Sequence, residues 1–445
     1  MSLRSRLPDV RSAVSMRRGL RPFLVLLALA ALPSPGAAQA EQAGAVAADG
    51  EHLTVYLMTM GPGPLVWERF GHNAIWIADA AAGTDLAYNY GIFDFDQVDF
   101  IPRLMRGDML YSMVPFDADA TVRGYSALDR SVWIQELNLT GAQKVALQEF
   151  LQWNALPENA DYPYDYYRDN CSTRVRDALD RALDGQLAAL LRATSTPETY
   201  RSQTQRLISP DVPSYTGLLL AMGHPADQPL SAWEDSFVPM RLAAHLRDVS
   251  VVDEAGQRQP LVLAERVLYE STLPAPPAQQ PRWLWWYVLV GVLMGLFFLL
   301  VGSGLGSSKR ARTVFGATAT LWTLAGGILG TLILVLWALT GHVFTYWNEN
   351  LLQLNPLPLV LAGLIPPALF ERAAASRAAA TTALLAAGLS ALGLVLQLAP
   401  GLDQPNGEII ALAFPVHVAL AWTLVRWHQF QDERQQMRRV ARRRR

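Results

Sequence analysis

The chain has 445 residues, a formal net charge of −2 and a single cysteine, Cys171. One thiol excludes an intramolecular disulfide, and it excludes the cysteine pairs that structural zinc sites use. Cys171 is therefore either a small buried apolar residue or a nucleophile.

Residues 1–40 have the three-part pattern of a secretory signal. A basic start precedes an apolar run at residues 23–32, and small residues close to position 40 offer a cleavage site. We expect residues 1–40 to be a signal peptide and the chain after it to be exported. A retained N-terminal anchor is the alternative, although the apolar run is short for a bilayer span.

The first exported domain, predicted over residues 41–193, begins with strands and continues with helices. Segments rich in β-branched and aromatic residues, bounded by Gly, Pro and Asp, predict strands at residues 53–60, 73–78, 86–92, 109–115 and 132–139. Thr140 and Gln143 form a capping box that opens one helix, and apolar residues spaced three and four apart predict a second helix from about Cys171. This order predicts an α+β fold with antiparallel strands.

Residues 194–282 are rich in proline, and their strand signals, at residues 249–252 and 261–263, are weak. We expect a partly irregular periplasmic appendage and linker.

The composition changes near residue 282, where charges nearly vanish. Apolar stretches follow at residues 283–301, 314–340, 357–370, 381–398 and 409–427. Most are close to the roughly 20 residues that cross a bilayer. The third is short and contains three prolines, so a re-entrant segment is an alternative there. We predict a five-span transmembrane domain over residues 283–428.

The basic residues set the topology. With the first domain outside, five crossings place the basic clusters at residues 309–312, 372–377 and 438–445 on the cytoplasmic face, as the positive-inside rule requires. Four crossings leave the arginine-rich end outside. We therefore predict a multi-pass protein of a bacterial inner membrane with a basic cytoplasmic tail, residues 429–445. A topology role explains this tail better than nucleic-acid binding does.

The sequence around Cys171 has features of a reactive thiol. A cysteine attacks an acyl carbon as the thiolate, which requires a lowered thiol pKa and a nearby base. Asp169 or Asn170 is the expected N-cap, so the sulfur lies in the first helical turn, where backbone amides and the helix dipole stabilise negative charge. The Cys171 N–H is a candidate oxyanion donor. Three neighbouring arginines add positive potential: Arg168, Arg174 and Arg176.

His72 is the best candidate for the base among seven histidines, because it follows a glycine at the head of a predicted strand. Asn89, on the next strand, is the candidate that orients the imidazole. A turn-side asparagine is the alternative for Asn89. No metal or other cofactor is required by this chemistry.

Three blocks of sequence resemble a known family. They are Phe-Gly-His at residues 70–72, Tyr-Asn-Tyr-Gly-Ile-Phe-Asp-Phe at 88–95, and Tyr-Asp-Tyr-Tyr-Arg-Asp-Asn-Cys-Ser-Thr-Arg-Val-Arg-Asp at 164–177. In this order they resemble the Lnb-type N-terminal periplasmic domain, over about residues 53–183. The His-before-Cys order also resembles circularly permuted papain-like enzymes of the NlpC/P60 type. Asn73 departs from the small hydroxyl residue that the resemblance leads us to expect.

The resemblance implies a permuted papain-like exported domain in which Cys171 is the nucleophile and His72 the base, with Asn89 carried over from its strand position. It further implies transfer of an acyl chain from a phospholipid donor to the N-terminus of a lipoprotein acceptor, through a thioester. A cell-wall amidase or endopeptidase of the NlpC/P60 type is one alternative. A non-enzymatic membrane module with a buried Cys171 is another.

The predicted extracytoplasmic loop at residues 341–356 is dense in amides and aromatic rings. One hypothesis is that it closes over the site or holds a lipid head group. The alternative is an interfacial loop that caps two helices.

Overall fold

The computed structural model describes residues 50–93, 97–253, 256–370 and 373–443. The predicted signal peptide, residues 1–40, lies outside the described residues, as do the last two residues of the predicted tail. The exported part combines a large antiparallel sheet with surrounding helices, and five long apolar helices follow it. The predicted α+β domain followed by a five-helix membrane domain is therefore confirmed. The closer likeness to papain stays a prediction.

Seven strands form the main sheet in the order β6-β4-β3-β2-β1-β5-β9, and every neighbouring pair is antiparallel. The strands in chain order are β1 (Leu53–Met60), β2 (His72–Asp79), β3 (Thr84–Phe93), β4 (Leu110–Asp117), β5 (Val132–Leu137), β6 (Asp161–Pro163), β7 (Ser250–Val252), β8 (Arg258–Pro260) and β9 (Val262–Tyr269). β7 and β8 pair separately as a short hairpin. The five predicted strands all exist: both ends of β1 agree with the prediction, and the ends of the other four differ by at most two residues.

The helices of the exported part surround this sheet. They are α1 (Phe100–Arg106), α2 (Ala118–Ala127), α3 (Gly141–Asn154), α4 (Pro157–Ala160), α5 (Cys171–Ala182), α6 (Gln186–Ala193), α7 (Tyr200–Ile208), α8 (Val212–Ala221), α9 (Ala232–Asp235) and α10 (Pro239–Asp248). The predicted capping box opens α3, since Thr140 accepts from the Gln143 N–H and the Gln143 side chain accepts from the Thr140 N–H. α5 begins at Cys171, as predicted.

β1 is central in the sheet and is buried on both faces, which explains its nearly continuous apolar run. Val55 and Leu57 pack on one face in a cluster with residues of α3 and α5. Met58 and Met60 pack on the opposite face in a second cluster that includes Ala118 of α2. The sheet therefore holds α5 on one side and α2 on the other.

Residues 194–282 are more regular than the sequence predicts. They contain α7 to α10 and the β7–β8 hairpin, and β9 extends the main sheet by pairing with β5. The segment therefore shares hydrogen bonds with the first domain. The boundary after residue 193 stays a prediction.

The membrane part consists of α11 (Leu284–Ser303), α12 (Lys309–Leu339), α13 (Leu357–Phe370), α14 (Ala373–Leu396) and α15 (Gly407–Arg443). By length and composition, five helical segments of the described chain can cross a membrane; the third is α13 together with the turn before it, Glu349–Phe370. Two prolines, Pro366 and Pro367, lie inside α13. Five apolar helices thus follow the exported domain.

The segment between α12 and α13 is docked on the exported domain. The Asn348 side chain donates to the Leu220 carbonyl at 2.8 Å, and the Asn350 side chain donates to the Leu219 carbonyl at 3.0 Å. Both acceptors lie at the end of α8, where carbonyls lack helical partners. The amides are used for helix capping, which favours the capping interpretation of this loop over head-group binding by these two asparagines.

Candidate active site

Cys171 is placed by the capping residue before it. The Asn170 side-chain oxygen accepts from the Ser172 and Thr173 N–H groups at 2.9 and 3.0 Å. The Asn170 side-chain amide donates to the carbonyls of Tyr166 and Phe237, each at 3.0 Å. Of the two caps considered in the sequence, Asn170 is therefore the actual one. Asn170 thus anchors the start of α5 to the segment before it, at Tyr166, and to a segment distant in sequence, at Phe237.

The half-buried Cys171 sulfur faces three backbone N–H groups, those of Asn73, Ser172 and Cys171 itself, and each of them stabilises the thiolate. Two belong to the first turn of α5, as predicted from its position at a helix start. The third comes from β2, which the sequence did not indicate.

His72 and Asn89 form the predicted hydrogen bond between neighbouring strands. The His72 Nε2 and the Asn89 Oδ1 are 3.1 Å apart. The Asn89 amide nitrogen donates to the Ala87 carbonyl at 2.8 Å, which assigns the oxygen to the imidazole side. Nε2 of the neutral ring is then the donor, so Nδ1 is the nitrogen that can accept a proton. The ring also stacks on Tyr125, with centroids 6.0 Å apart.

Asn73 joins the two halves of the site. Its backbone follows that of His72, and its N–H points to the Cys171 sulfur. Its side chain accepts from the Ser172 hydroxyl at 2.9 Å and donates to the Thr59 hydroxyl at 2.8 Å. Asn73, which follows the candidate base, thus contacts both the candidate nucleophile Cys171 and its neighbour Ser172. The departure from a small hydroxyl residue is accommodated by these two buried hydrogen bonds.

Arg130, just before β5, is a site residue that the sequence did not reveal. It is buried, its Nε donates to the Gly61 carbonyl at 2.9 Å, and its guanidinium lies 4.7 Å from the Tyr125 ring centroid. Its positive charge lowers the pKa of both the Cys171 thiol and the His72 imidazole. Only the pairing of β5 with β1 brings Arg130 here, so no local sequence signal marks it.

The three arginines predicted to activate the thiol contact other groups. Arg174 pairs with Asp169, Arg176 pairs with Asp177 at 2.7 Å, and the Arg168 guanidinium lies 4.8 Å from the Phe344 ring centroid. Closeness to Cys171 in the sequence is therefore a poor guide to which arginine acts on the thiol. Among the arginines, Arg130 contributes most to lowering the thiol pKa.

The predicted lowering of the thiol pKa is wrong for this structure. Burial raises the pKa of the Cys171 thiol to about 11, and the opposing backbone N–H groups and Arg130 only partly compensate. Burial also lowers the pKa of His72 to about 4, against the hydrogen bond to Asn89. Both groups are therefore neutral near pH 7, because loss of solvation penalises either charge.

Gly91 and a group of tyrosines line the other side of the sulfur. Gly91 has φ of +87°, and a Cβ atom on it would lie 3.2 Å from the Cys171 Cβ. The Tyr162 hydroxyl is buried near this glycine and has no hydrogen-bond partner in the described part of the chain. The site is therefore narrow beside β3 and mostly aromatic.

No cluster of three or more His, Cys, Asp or Glu side chains that could hold a metal ion occurs among the described residues. A cavity of about 340 Å³ lies elsewhere, between α7 and the linker before α11, and includes Glu198, Arg206 and Arg282 in its lining. None of its lining residues belongs to the Cys171 site.

The fold and the site together define a class: a membrane protein whose α+β domain places a cysteine at a helix start against the backbone of a strand, beside a histidine that an asparagine orients. The Lnb N-terminal periplasmic domain matches residues 39–206, and the Lnb transmembrane domain matches residues 290–400. These ranges cover more than half of the chain, which therefore belongs to the Lnb family, as the resemblance predicted. It is a multi-pass membrane protein with a periplasmic domain. Neither a curated protein nor a solved structure matches it.

Proposed function

We propose that this protein is a thiol-dependent acyltransferase of a bacterial inner membrane. It moves an acyl chain from a phospholipid to the N-terminal amine of a lipoprotein through a thioester on Cys171. The observation that carries the proposal is the meeting of the Cys171 sulfur with the Asn73 N–H, one residue after a histidine that Asn89 orients.

The first half-reaction starts from a neutral thiol and a neutral imidazole. As the Cys171 sulfur attacks the ester carbonyl carbon, Nδ1 of His72 takes the thiol proton. The carbonyl oxygen becomes an oxyanion, and backbone N–H groups beside the sulfur, such as that of Cys171, are suited to stabilise it. When the intermediate collapses, the C–O bond breaks and His72 returns the proton to the departing lysophospholipid oxygen. The products are the thioester and a lysophospholipid.

The second half-reaction releases the acyl chain to the acceptor. The neutral N-terminal amine attacks the thioester carbonyl, His72 accepts a proton from the nitrogen, and the C–S bond breaks. The proton then returns to the sulfur, which regenerates the free thiol. The same histidine serves as base and acid in both halves, and this two-step route gives ping-pong kinetics.

The membrane domain supports a lipid donor over a soluble one. A hydrolase of cell-wall peptides needs at most an anchor, whereas an enzyme that draws its substrate from the bilayer benefits from a domain of five spans. The basic end of α15 supports the inner membrane as the location, because arginine clusters are retained on the cytoplasmic face.

The test is mass spectrometry of a reporter lipoprotein N-terminus in cells depleted of other N-acyltransferases. We expect N-acylation with the wild type and none with Cys171→Ala or His72→Ala. His52→Ala is the matched control, since His52 faces Asp79 at the opposite end of β2. A hydroxylamine-sensitive acyl group should also accumulate on Cys171 of the wild type when acceptor is withheld.

Two outcomes would replace the proposal. Unchanged N-acylation with Cys171→Ala would favour the non-enzymatic module. Digestion of peptidoglycan fragments by the wild type, with no acyl group on Cys171, would favour the cell-wall amidase or endopeptidase.

A further inference from the structure

Helix α1, between β3 and β4, presents an apolar face to the outside of the protein. Ile101, Leu104 and Met105 lie on one side of the helix at spacings of three and four residues, and they are 60%, 46% and 50% exposed. Val98, just before the helix, is also exposed. Such a contiguous apolar surface on an exported domain requires a partner.

The position of α1 identifies that partner as the bilayer. The Gly341 N–H donates to the Arg106 carbonyl at 2.6 Å, and the His342 ring bonds to the Leu104 carbonyl at 3.1 Å. Gly341 and His342 directly follow α12, a candidate membrane span. The C-terminal end of α1 is thus joined by hydrogen bonds to the segment at the end of this candidate span.

The residues around this junction have the character of a membrane interface. Leu339, at the end of α12, is exposed, and so is Trp347, which pairs with Trp337 at a centroid distance of 5.3 Å. Tryptophan is enriched at this depth of a bilayer. The junction between α1 and α12 therefore lies near exposed apolar and tryptophan side chains, which is the composition of a membrane interface.

A row of aromatic rings connects α1 with the thiol. Phe100 packs on Phe93 at 5.6 Å, Phe93 on Tyr111 at 5.0 Å, and Tyr111 on Tyr164 at 3.9 Å, all between ring centroids. Burial, and after it the charge of a Cys171 thiolate, raise the pKa of the Tyr111 and Tyr164 phenols. Tyr111, Tyr164 and Cys171 also pack against the same hydrophobic cluster, so the row ends in the neighbourhood of the thiol.

We propose that α1 inserts its apolar face into the outer surface of the bilayer and guides a phospholipid acyl chain along this aromatic row to Cys171. Insertion stands on the exposed face and the junction with α12. Delivery of the acyl chain rests on the acyl-transfer function proposed above.

Insertion is measured without catalysis. In full-length Cys171→Ala protein, Leu104→Cys carries an environment-sensitive fluorophore, and the protein is placed in phosphatidylethanolamine–phosphatidylglycerol vesicles with nitroxide-labelled acyl chains. We expect quenching of the fluorophore at position 104. The matched control is Leu263→Cys, a similarly exposed leucine on β9 at the opposite edge of the sheet. Equal quenching at both positions, or none, would overturn insertion.

Delivery is measured with the combined variant Ile101→Ser, Leu104→Ser and Met105→Ser. We expect thioester formation from vesicle phospholipid to slow by about tenfold or more, because lipid-facing apolar area is lost. Alkylation of Cys171 by water-soluble iodoacetamide should keep its wild-type rate, which shows that the site is folded. The control is Leu263→Ser with Val267→Ser, another exposed apolar pair.

The outcomes separate the two proposals. An unchanged thioester rate in the triple serine variant would overturn delivery. If the wild type forms no thioester from phospholipid, the acyltransferase function and delivery both fail. The quenching result still decides whether α1 inserts.

Discussion

The Cys171 thiol and the His72 imidazole are both uncharged at rest, because burial raises one pKa and lowers the other. In the proposed mechanism, deprotonation of the sulfur therefore accompanies attack on the substrate, with His72 as the general base. A neutral thiol also reacts slowly with oxidants, since the thiolate is the form that oxidants attack. This suits a cysteine predicted to lie in an oxidising compartment.

The resting protonation state predicts a pH profile for Cys171. With a thiol pKa near 11, the alkylation rate with iodoacetamide should rise about tenfold for each pH unit from about pH 7 to about pH 10. With a His72 pKa near 4, no inflection is expected from about pH 5 to about pH 8. The alkylation rate at each pH is measured by quenching the reaction at fixed times and determining the alkylated fraction by mass spectrometry. A plateau already present at neutral pH would indicate a preformed thiolate–imidazolium pair and contradict the prediction.

At the scale of elements, the site depends on how closely β3 approaches α5. The register between β3 and β4 is irregular between Asn89 and Ile92, and Gly91 lies at this irregularity with a positive φ. A residue without a Cβ lets the strand pass directly beside Cys171. The resulting distance between strand and helix start determines where the sulfur lies relative to His72.

Gly91→Ala should therefore impair activity more than stability. The positive φ costs about 1–2 kcal/mol in an L-residue, and the added methyl must also displace Cys171 slightly. We expect thioester formation to fall roughly tenfold or more, since small misplacements of reacting groups are costly. Gly83→Ala is the matched control, because Gly83 has φ of +65° and nothing within 4 Å of an added Cβ. Equal activity losses in the two variants would show that backbone strain alone is responsible.

Much of this element structure is predictable from the sequence. The central strands carry β-branched and aromatic side chains, and Asn170 and Thr140 are typical caps. β9 gave a weak signal because most of its residues are exposed, so the apolar alternation of a half-buried strand is missing. The prolines that suggested an irregular segment instead begin helices: Pro213 lies in the first turn of α8, and Pro239 is the first residue of α10.

The sequence predicted those site residues whose roles follow from the strand or helix that carries them. His72, Asn89 and Cys171 each stand at the start or middle of a recognisable element, and β2 and β3 are consecutive. Arg130 and the Asn73 N–H depend on pairings between distant segments, which a single sequence does not specify. The thiol pKa was misjudged because burial of the sulfur depends on the packing around it.

At the scale of the whole molecule, the exported domain and the membrane helices share a buried contact. Phe344, in the loop after α12, packs on Tyr167 and Tyr200 with ring centroids 4.6 and 5.0 Å away. Phe237 belongs to the same aromatic cluster, and its carbonyl accepts from Asn170. The membrane part therefore supports Asn170, the residue that caps α5.

Replacing Asn348 and Asn350 together with alanine should loosen this contact. Each substitution leaves buried carbonyls at the end of α8 unpaired, at about 1–3 kcal/mol per group. We expect a lower unfolding temperature in detergent, faster proteolysis between the two parts, and reduced thioester formation. Asn355→Ala is the control, because that side chain bonds to the Leu351 carbonyl and the Leu357 N–H and not to the exported domain. Wild-type proteolysis and activity in the double variant would show that the amides do not hold the two parts together.

The docked loop also has a geometric consequence for substrate choice. Since α8 and the aromatic cluster are fastened to the ends of the membrane helices, the fold fixes the position of the sulfur relative to these helix ends. Under the proposed acyl transfer, an acceptor amine must be presented at that position. A polypeptide held at the bilayer by its own lipid anchor stays close to this position, whereas a freely diffusing peptide reaches it only during brief encounters.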